Sequence, residues 1–144
     1  MEKAEFVMHF VYWNVDYTED IDSHGHPEYY QFPLETLYYG YGDCEDSAFL
    51  LCSLYRIMGM DTAVLLNAVH CAAGVAVDLE GTTFSMPFSD VGYFETDTFS
   101  MNFLGSAWMD HYFVLPIGFP YPAIIMLIFS LFLIWAGITL FRDE

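Results

Sequence analysis

Apolar positions along the 144-residue chain repeat with a helical period in its first half and with a strand period further on. Between Glu5 and about Asn14, Phe6, Val7, Phe10 and Val11 recur at i, i+1, i+4 and i+5, which predicts a short amphipathic helix. From Asp16 to Pro33 the chain reads DYTEDIDSHGHPEYYQFP, rich in turn formers and aromatics, and an ordered loop is expected there. The clearest helix follows. Asp43 suits its N-cap and Asp46 its third position, a capping-box spacing with Asp in place of Glu. Ala48, Leu51, Cys52 and Tyr55 make one apolar face, and Gly59 supplies the C-terminal stop.

The period then shortens. DTAVLLN (Asp61 to Asn67) is a compact apolar run, and HCAAGVAVDLEG (His70 to Gly81) ends in alternation and a turn at Glu80-Gly81. TTFSM and VGYFET follow as further short strands. A helix followed by antiparallel strands predicts an α+β fold.

The C-terminal part has a different character. Phe113 to Phe141 carries no charge, and Ala123 to Phe141, AIIMLIFSLFLIWAGITLF, is a 19-residue apolar run. A helix needs about 20 such residues to cross the hydrocarbon core, so one transmembrane helix is expected over 123–141. The expected organisation is a domain over 1–112, a stiff Pro-rich stem over 113–122 (Pro116, Pro120, Pro122), the single-pass span, and a tail over 142–144. Arg142 beyond the span favours a cytoplasmic tail and an extracytoplasmic domain. The opening MEKAEFVMHF, which lacks a signal-like apolar run, points the other way. The Trp108 stretch, Met101 to Met109, is expected to pack on the core or at the membrane surface.

Charge narrows the partners. Residues 1–112 carry 18 Asp and Glu against Lys3 and Arg56 alone, and the whole chain has a net charge of −17. Such a surface repels polyanions, so no nucleic acid partner is expected. Three cysteines, Cys44, Cys52 and Cys71, leave at least one thiol free. Cys52 lies on the core face of its helix, and Cys71 follows His70, so on a strand it points to the opposite face and is buried.

Cys44 is the candidate for chemistry. It opens the helix capped by Asp43, where unpaired N–H groups and the dipole favour a thiolate. Asp43, Glu45 and Asp46 oppose that by charge, so an imidazole partner matters more than the dipole. His70 heads the strand after AVLLNAV, and Glu95 lies on a following strand. Nucleophile, base and orienting acid are then present for acyl transfer. His24 and His26, with Asp20 and Asp22, complete no known metal-ligand spacing, and a solvated loop is expected. Neither a metal nor a cofactor is expected.

Residues Phe32 to Leu66, FPLETLYYGYGDCEDSAFLLCSLYRIMGMDTAVLL, resemble the transglutaminase-like cysteine-protease superfamily, especially its archaeal and bacterial branch. The resemblance rests on Pro33, Glu35-Thr36-Leu37, Gly42-Asp43-Cys44-Glu45-Asp46, Met58-Gly59 and HCAAGVAVD from His70, with YFETDTF (Tyr93 to Phe99) as the closing motif. It extends over about residues 6 to 100. It implies a papain/transglutaminase-like core, with Cys44 as nucleophile, His70 as general base and acid, and Glu95 orienting His70. Asp97 and Asp90 compete with Glu95, because the third member is commonly Asp. Backbone N–H groups at the helix start, beside Asp43, are expected as the oxyanion site, and Tyr39 and Tyr41 as lining residues. The implied activity is a thiol hydrolase or acyltransferase on peptide or glutamine amides. Its expected partners are a peptide or protein amide substrate and the lipid bilayer. The alternative is a catalytically silent module that binds or assembles a membrane complex.

Overall fold

A computed structural model of the chain describes residues 2–78, 80–96, 111–118 and 130. Its elements run α1 (Glu2–Asn14), β1 (Asp16–Tyr17), α2 (Asp20–Ser23), α3 (Pro33–Tyr39), β2 (Tyr41–Gly42), α4 (Cys44–Ile57), β3 (Thr62–Leu66), β4 (Cys71–Val75), β5 (Thr83–Phe84), β6 (Tyr93–Thr96) and β7 (Phe113–Pro116). The fold is α+β, with helices packed on an antiparallel sheet of order β5-β6-β4-β3-β7.

The sheet alternates as its side chains require. Cys71, Ala73 and Val75 of β4 and Val64 of β3 join the cluster built around Leu51, Cys52 and Tyr55 of α4. The intervening Ala63, Leu65 and Ala72 join Phe84, Tyr93 and Val114 in a second cluster. Successive strand residues point to opposite faces, so α4 covers one face and the second cluster lies on the other. Each fully buried aliphatic in such a core contributes about 1.5–3 kcal/mol relative to exposure. α1 lies on α4 through Ala4, Val7, Met8 and Val11. Phe6, expected on that apolar face, is exposed at 66 % because the buried stripe follows the 3–4 spacing of Ala4, Val7, Met8 and Val11.

Two regions depart from the sequence expectation. The region read as loop contains β1 and α2, and the helix α3 follows at Pro33. α3 begins with Pro33, draws the Phe32 N–H to Glu35 Oε2 at 2.8 Å, and ends at Gly40 with φ +72°. Those are start and stop signals that the aromatic content of the stretch masked. β1 then pairs in parallel with β2, Asp16 opposite Tyr41 and Tyr17 opposite Gly42. The first residues of the expected stem, Phe113–Pro116, form β7 paired with β3, with Pro116 at the sheet edge where its missing N–H costs no ladder bond.

Among the described residues no helix is long and apolar enough to cross a membrane. The expected span over 123–141 lies outside them apart from Ser130, as do Trp108, Pro120, Pro122 and Asp97.

Candidate active site

The N-terminus of α4 is built as its sequence demands. Asp43 is the N-cap in an extended conformation, and Asp46 Oδ2 accepts its backbone N–H at 3.4 Å. Asp46 Oδ1 accepts the Gln31 N–H at 2.8 Å, which ties the loop before α3 to the first turn of α4. Gly42 makes that approach possible: a Cβ there would lie 2.7 Å from Asp46 Cβ and 2.8 Å from its Oδ2. The glycine of the Gly42-Asp43-Cys44 sequence is thus required by packing.

Cys44 opens the helix and lines a cleft of about 390 Å³. Glu28, Tyr30, Asp43 and Glu45 share its wall, and residues 66–71, His70 among them, face across. A larger hollow of about 670 Å³ lies around Phe49, Ile57, Val64 and Ile117 and holds neither Cys44 nor His70. Cys44 and His70 both line the smaller one. His70 is buried and stands just before β4 at the end of a turn that Asn67 holds. Asn67 Oδ1 accepts the N–H groups of Val69 and His70, both at 2.9 Å, and the Asn67 N–H returns to the His70 carbonyl at 3.0 Å. An Asn that bonds the backbone two and three residues on is a turn signal, and the sequence reading passed over it.

The sulfur is set by its acidic surroundings. Cys44 Sγ donates to Glu45 Oε2 at 3.1 Å. Burial first, then the Glu45 bond and charge, push the thiol up to about 12, and a hydrogen bond from the Cys71 backbone offsets only part of this. The helix dipole, equivalent to about half a charge, does not overcome the carboxylates. Burial and a hydrogen bond with Glu45 likewise push Asp43 up to about 8. Burial raises Asp46 as well, against the opposing Gln31 and Asp43 N–H bonds.

Glu95 sits elsewhere on the sheet. It pairs with Gly74 on β4, and its neighbour Tyr93, two residues away, belongs to the second cluster. Glu95 therefore faces away from α4. Its Oε1 accepts the Tyr112 hydroxyl at 2.9 Å, and the Tyr112 ring lies 6.5 Å from that of His70. Tyr112, just ahead of β7, is a residue the sequence reading did not single out. No local pattern marks it, because its role comes from a long-range pairing.

The remaining candidates separate. Asp43 lines the cleft, whereas Tyr39 and Tyr41 stack on each other at 5.5 Å beside His24, and Tyr30 is the aromatic at the cleft. Asp90 is exposed in the loop before β6. Cys71 is buried against α4 in the core cluster on which Cys44 packs. All three thiols are free. His24 stacks on Tyr29 at 4.1 Å, while the carboxylate of Asp20 turns inward to accept the Tyr29 N–H.

The family model of the transglutaminase-like superfamily core matches residues 1–113, and the chain belongs to that superfamily. Its members are typically cysteine-dependent enzymes. No curated protein matches the chain.

Proposed function

We propose that this protein is a thiol hydrolase or acyltransferase acting on peptide or glutamine amides, with Cys44 as nucleophile, His70 as base and acid, and Glu95 as the orienting carboxylate. The observation that carries the reading is the shared cleft: Cys44, first residue of α4, and His70, at the head of β4, line one hollow in a chain of this superfamily.

With the thiol pushed up to about 12, Cys44 enters the reaction protonated. His70 then removes the S–H proton as sulfur attacks the amide carbon, so general-base catalysis replaces a preformed ion pair. The oxyanion is held by backbone N–H groups at the start of α4. Collapse expels the amine, which takes the proton from His70, and leaves a thioester on Cys44. Water releases the acid in hydrolysis, or a second amine forms a new amide in transfer. Glu95, opposite Gly74 on β4, acts on His70 through Tyr112, whose hydroxyl it accepts and whose ring lies 6.5 Å from that of His70. The run 123–141 anchors the domain to a membrane in this reading, with the domain on the extracytoplasmic side.

One observation favours a second reading. The hydrogen bond of the Cys44 thiol goes to Glu45, which suits a silent module that binds rather than turns over. Incubation with a glutamine-containing peptide and a fluorescent primary amine separates the two. Catalysis predicts amine incorporation or amide hydrolysis, with a thioester on Cys44 visible by intact mass, and loss of both in Cys44→Ala and His70→Ala. No turnover, with peptide binding equal in wild type and Cys44→Ala, would establish the binding module.

A further inference from the structure

We propose that the apolar face formed by α3, the end of α4 and Ile117 lies against the surface of a bilayer of neutral or zwitterionic lipids and holds the Cys44 cleft beside the headgroups. The proposal rests on reading 123–141 as an anchor, and it stands whether or not Cys44 turns over a substrate.

The face begins with a helix that the fold leaves uncovered. Of α3, only Thr36 is buried. Phe32, Leu34 and Tyr38 are 74, 76 and 84 % exposed, and Ile57, the last residue of α4, is 79 % exposed. Single apolar side chains on a surface are ordinary, whereas a contiguous patch marks an interaction site. These are contiguous. Phe32, Leu34 and Tyr38 line one apolar hollow of about 530 Å³. Phe32 also lines the hollow of about 670 Å³, together with Tyr30, Ile57 and Ile117.

Position, chemistry and charge name the occupant. β7 ends at Pro116, Ile117 lines the larger hollow, and the apolar run begins at Ala123, five residues beyond Gly118. Five residues reach at most about 18 Å, so the run starts no farther than that from this face. Tyr30 and Tyr38 stand among Phe32, Leu34 and Ile57, and rings with one polar end settle at the level of lipid headgroups. Glu35 and Arg56 are the charged residues that line the two hollows. Both are engaged, Glu35 Oε2 with the Phe32 N–H at 2.8 Å and Arg56 with Asp61 at 3.2 Å. Residues 1–112 carry 18 Asp and Glu against Lys3 and Arg56, so an anionic lipid surface repels the domain and a neutral or zwitterionic one does not.

The cleft is next to this face. Tyr30 lines both the larger hollow and the cleft that Cys44 and His70 share. Docking therefore sets that cleft at the membrane surface, where the amides nearest to it belong to chains that the bilayer also holds.

Photocrosslinking of the full chain in phosphatidylcholine nanodiscs tests this, with p-benzoylphenylalanine replacing Leu34, Tyr38 or Phe88 in turn. Phe88 is fully exposed in the loop between β5 and β6, at the sheet edge opposite β7. All three side chains are outside the core, so the exchanges leave the fold intact. Irradiation is expected to give adducts of phosphatidylcholine mass at positions 34 and 38 several-fold more often than at 88. Equal lipid adducts at the three positions, no lipid adduct at 34 and 38, or adducts there with a second copy of the chain would each overturn the proposal. Failure of the anchor is separable. A chain that alkaline carbonate releases from membranes overturns both readings, whereas a chain that stays but gives no lipid adduct at 34 and 38 overturns this one alone.

Discussion

The hydroxyl of Tyr112 donates to Glu95 Oε1 at 2.9 Å, so the residue ahead of the edge strand β7 holds a buried carboxylate of the inner strand β6. Removing a donor from a buried carboxylate costs about 1–3 kcal/mol or more. Tyr112→Phe is expected to lower stability by that amount in urea unfolding. A double-mutant cycle with Glu95→Gln should return a coupling of about 1 kcal/mol or more; additive effects would mean the bond contributes nothing.

Cys44 carries the clearest pH signature. A thiol raised above its ordinary value is neutral below that value and ionises only at more alkaline pH. Alkylation of Cys44 by iodoacetamide in wild type is therefore expected to rise well above the roughly 8.5 of a free thiol. Burial is the first cause and Glu45 the second, so Glu45→Gln should move the profile to lower pH without restoring an ordinary thiol. Mass mapping separates Cys44 from Cys52 and Cys71. A wild-type profile centred near pH 6 and dependent on His70 would instead reveal a thiolate–imidazolium pair.

Gly42→Ala places a Cβ against the Asp46 side chain at 2.7 Å. Asp46 is fixed by Gln31 on one oxygen and Asp43 on the other, so it has little freedom to yield. A loss of about 1–3 kcal/mol is expected. Unchanged unfolding would show that the first turn of α4 is more plastic than its hydrogen bonds indicate.

The apolar run of residues 123–141 predicts membrane partition. The full chain expressed in cells should remain in the membrane pellet after alkaline carbonate extraction, and a chain ending at Gly118 should not. Release of the full chain by carbonate would remove the anchor.

The sequence was most legible where the signals were local. Asp43, Asp46 and Gly59 bracket α4 as their chemistry predicts, and the runs at Asp61 and His70 became β3 and β4 in antiparallel register. α3 was hidden because its capping signals sit among exposed apolar side chains, Phe32, Leu34 and Tyr38, that give no core stripe. β7 was hidden because a short apolar segment preceding prolines reads equally as stem or edge strand. At the site, Cys44 and His70 were legible through the family resemblance rather than through spacing, and both line one cleft. The aromatic at the cleft could not: Tyr30, Tyr39 and Tyr41 are alike in sequence, and only the β1–β2 pairing and the stack at His24 distinguish them. The burial of Asp20 was equally out of reach, because it stands in a polar stretch ahead of His24 in sequence but turns inward to accept the Tyr29 N–H in space.

The short parallel pairing of β1 with β2 has an engineering consequence. It pinches the chain at Asp16–Tyr41 and Tyr17–Gly42, so the segment from Thr18 to Gly40 is a closed excursion whose ends are fixed next to the nucleophile. That one excursion supplies Glu28 and Tyr30, the wall across from residues 66–71. Loop-closure entropy rises only slowly with length, so the exposed stretch from Gly25 to Glu28, ahead of the Tyr29 N–H that Asp20 holds, can be lengthened, shortened or exchanged at small thermodynamic expense. Residues that line the cleft from this loop are thereby separable from those that hold the core, and a library confined to this single loop would vary the cleft wall while leaving Cys44 and His70 in place.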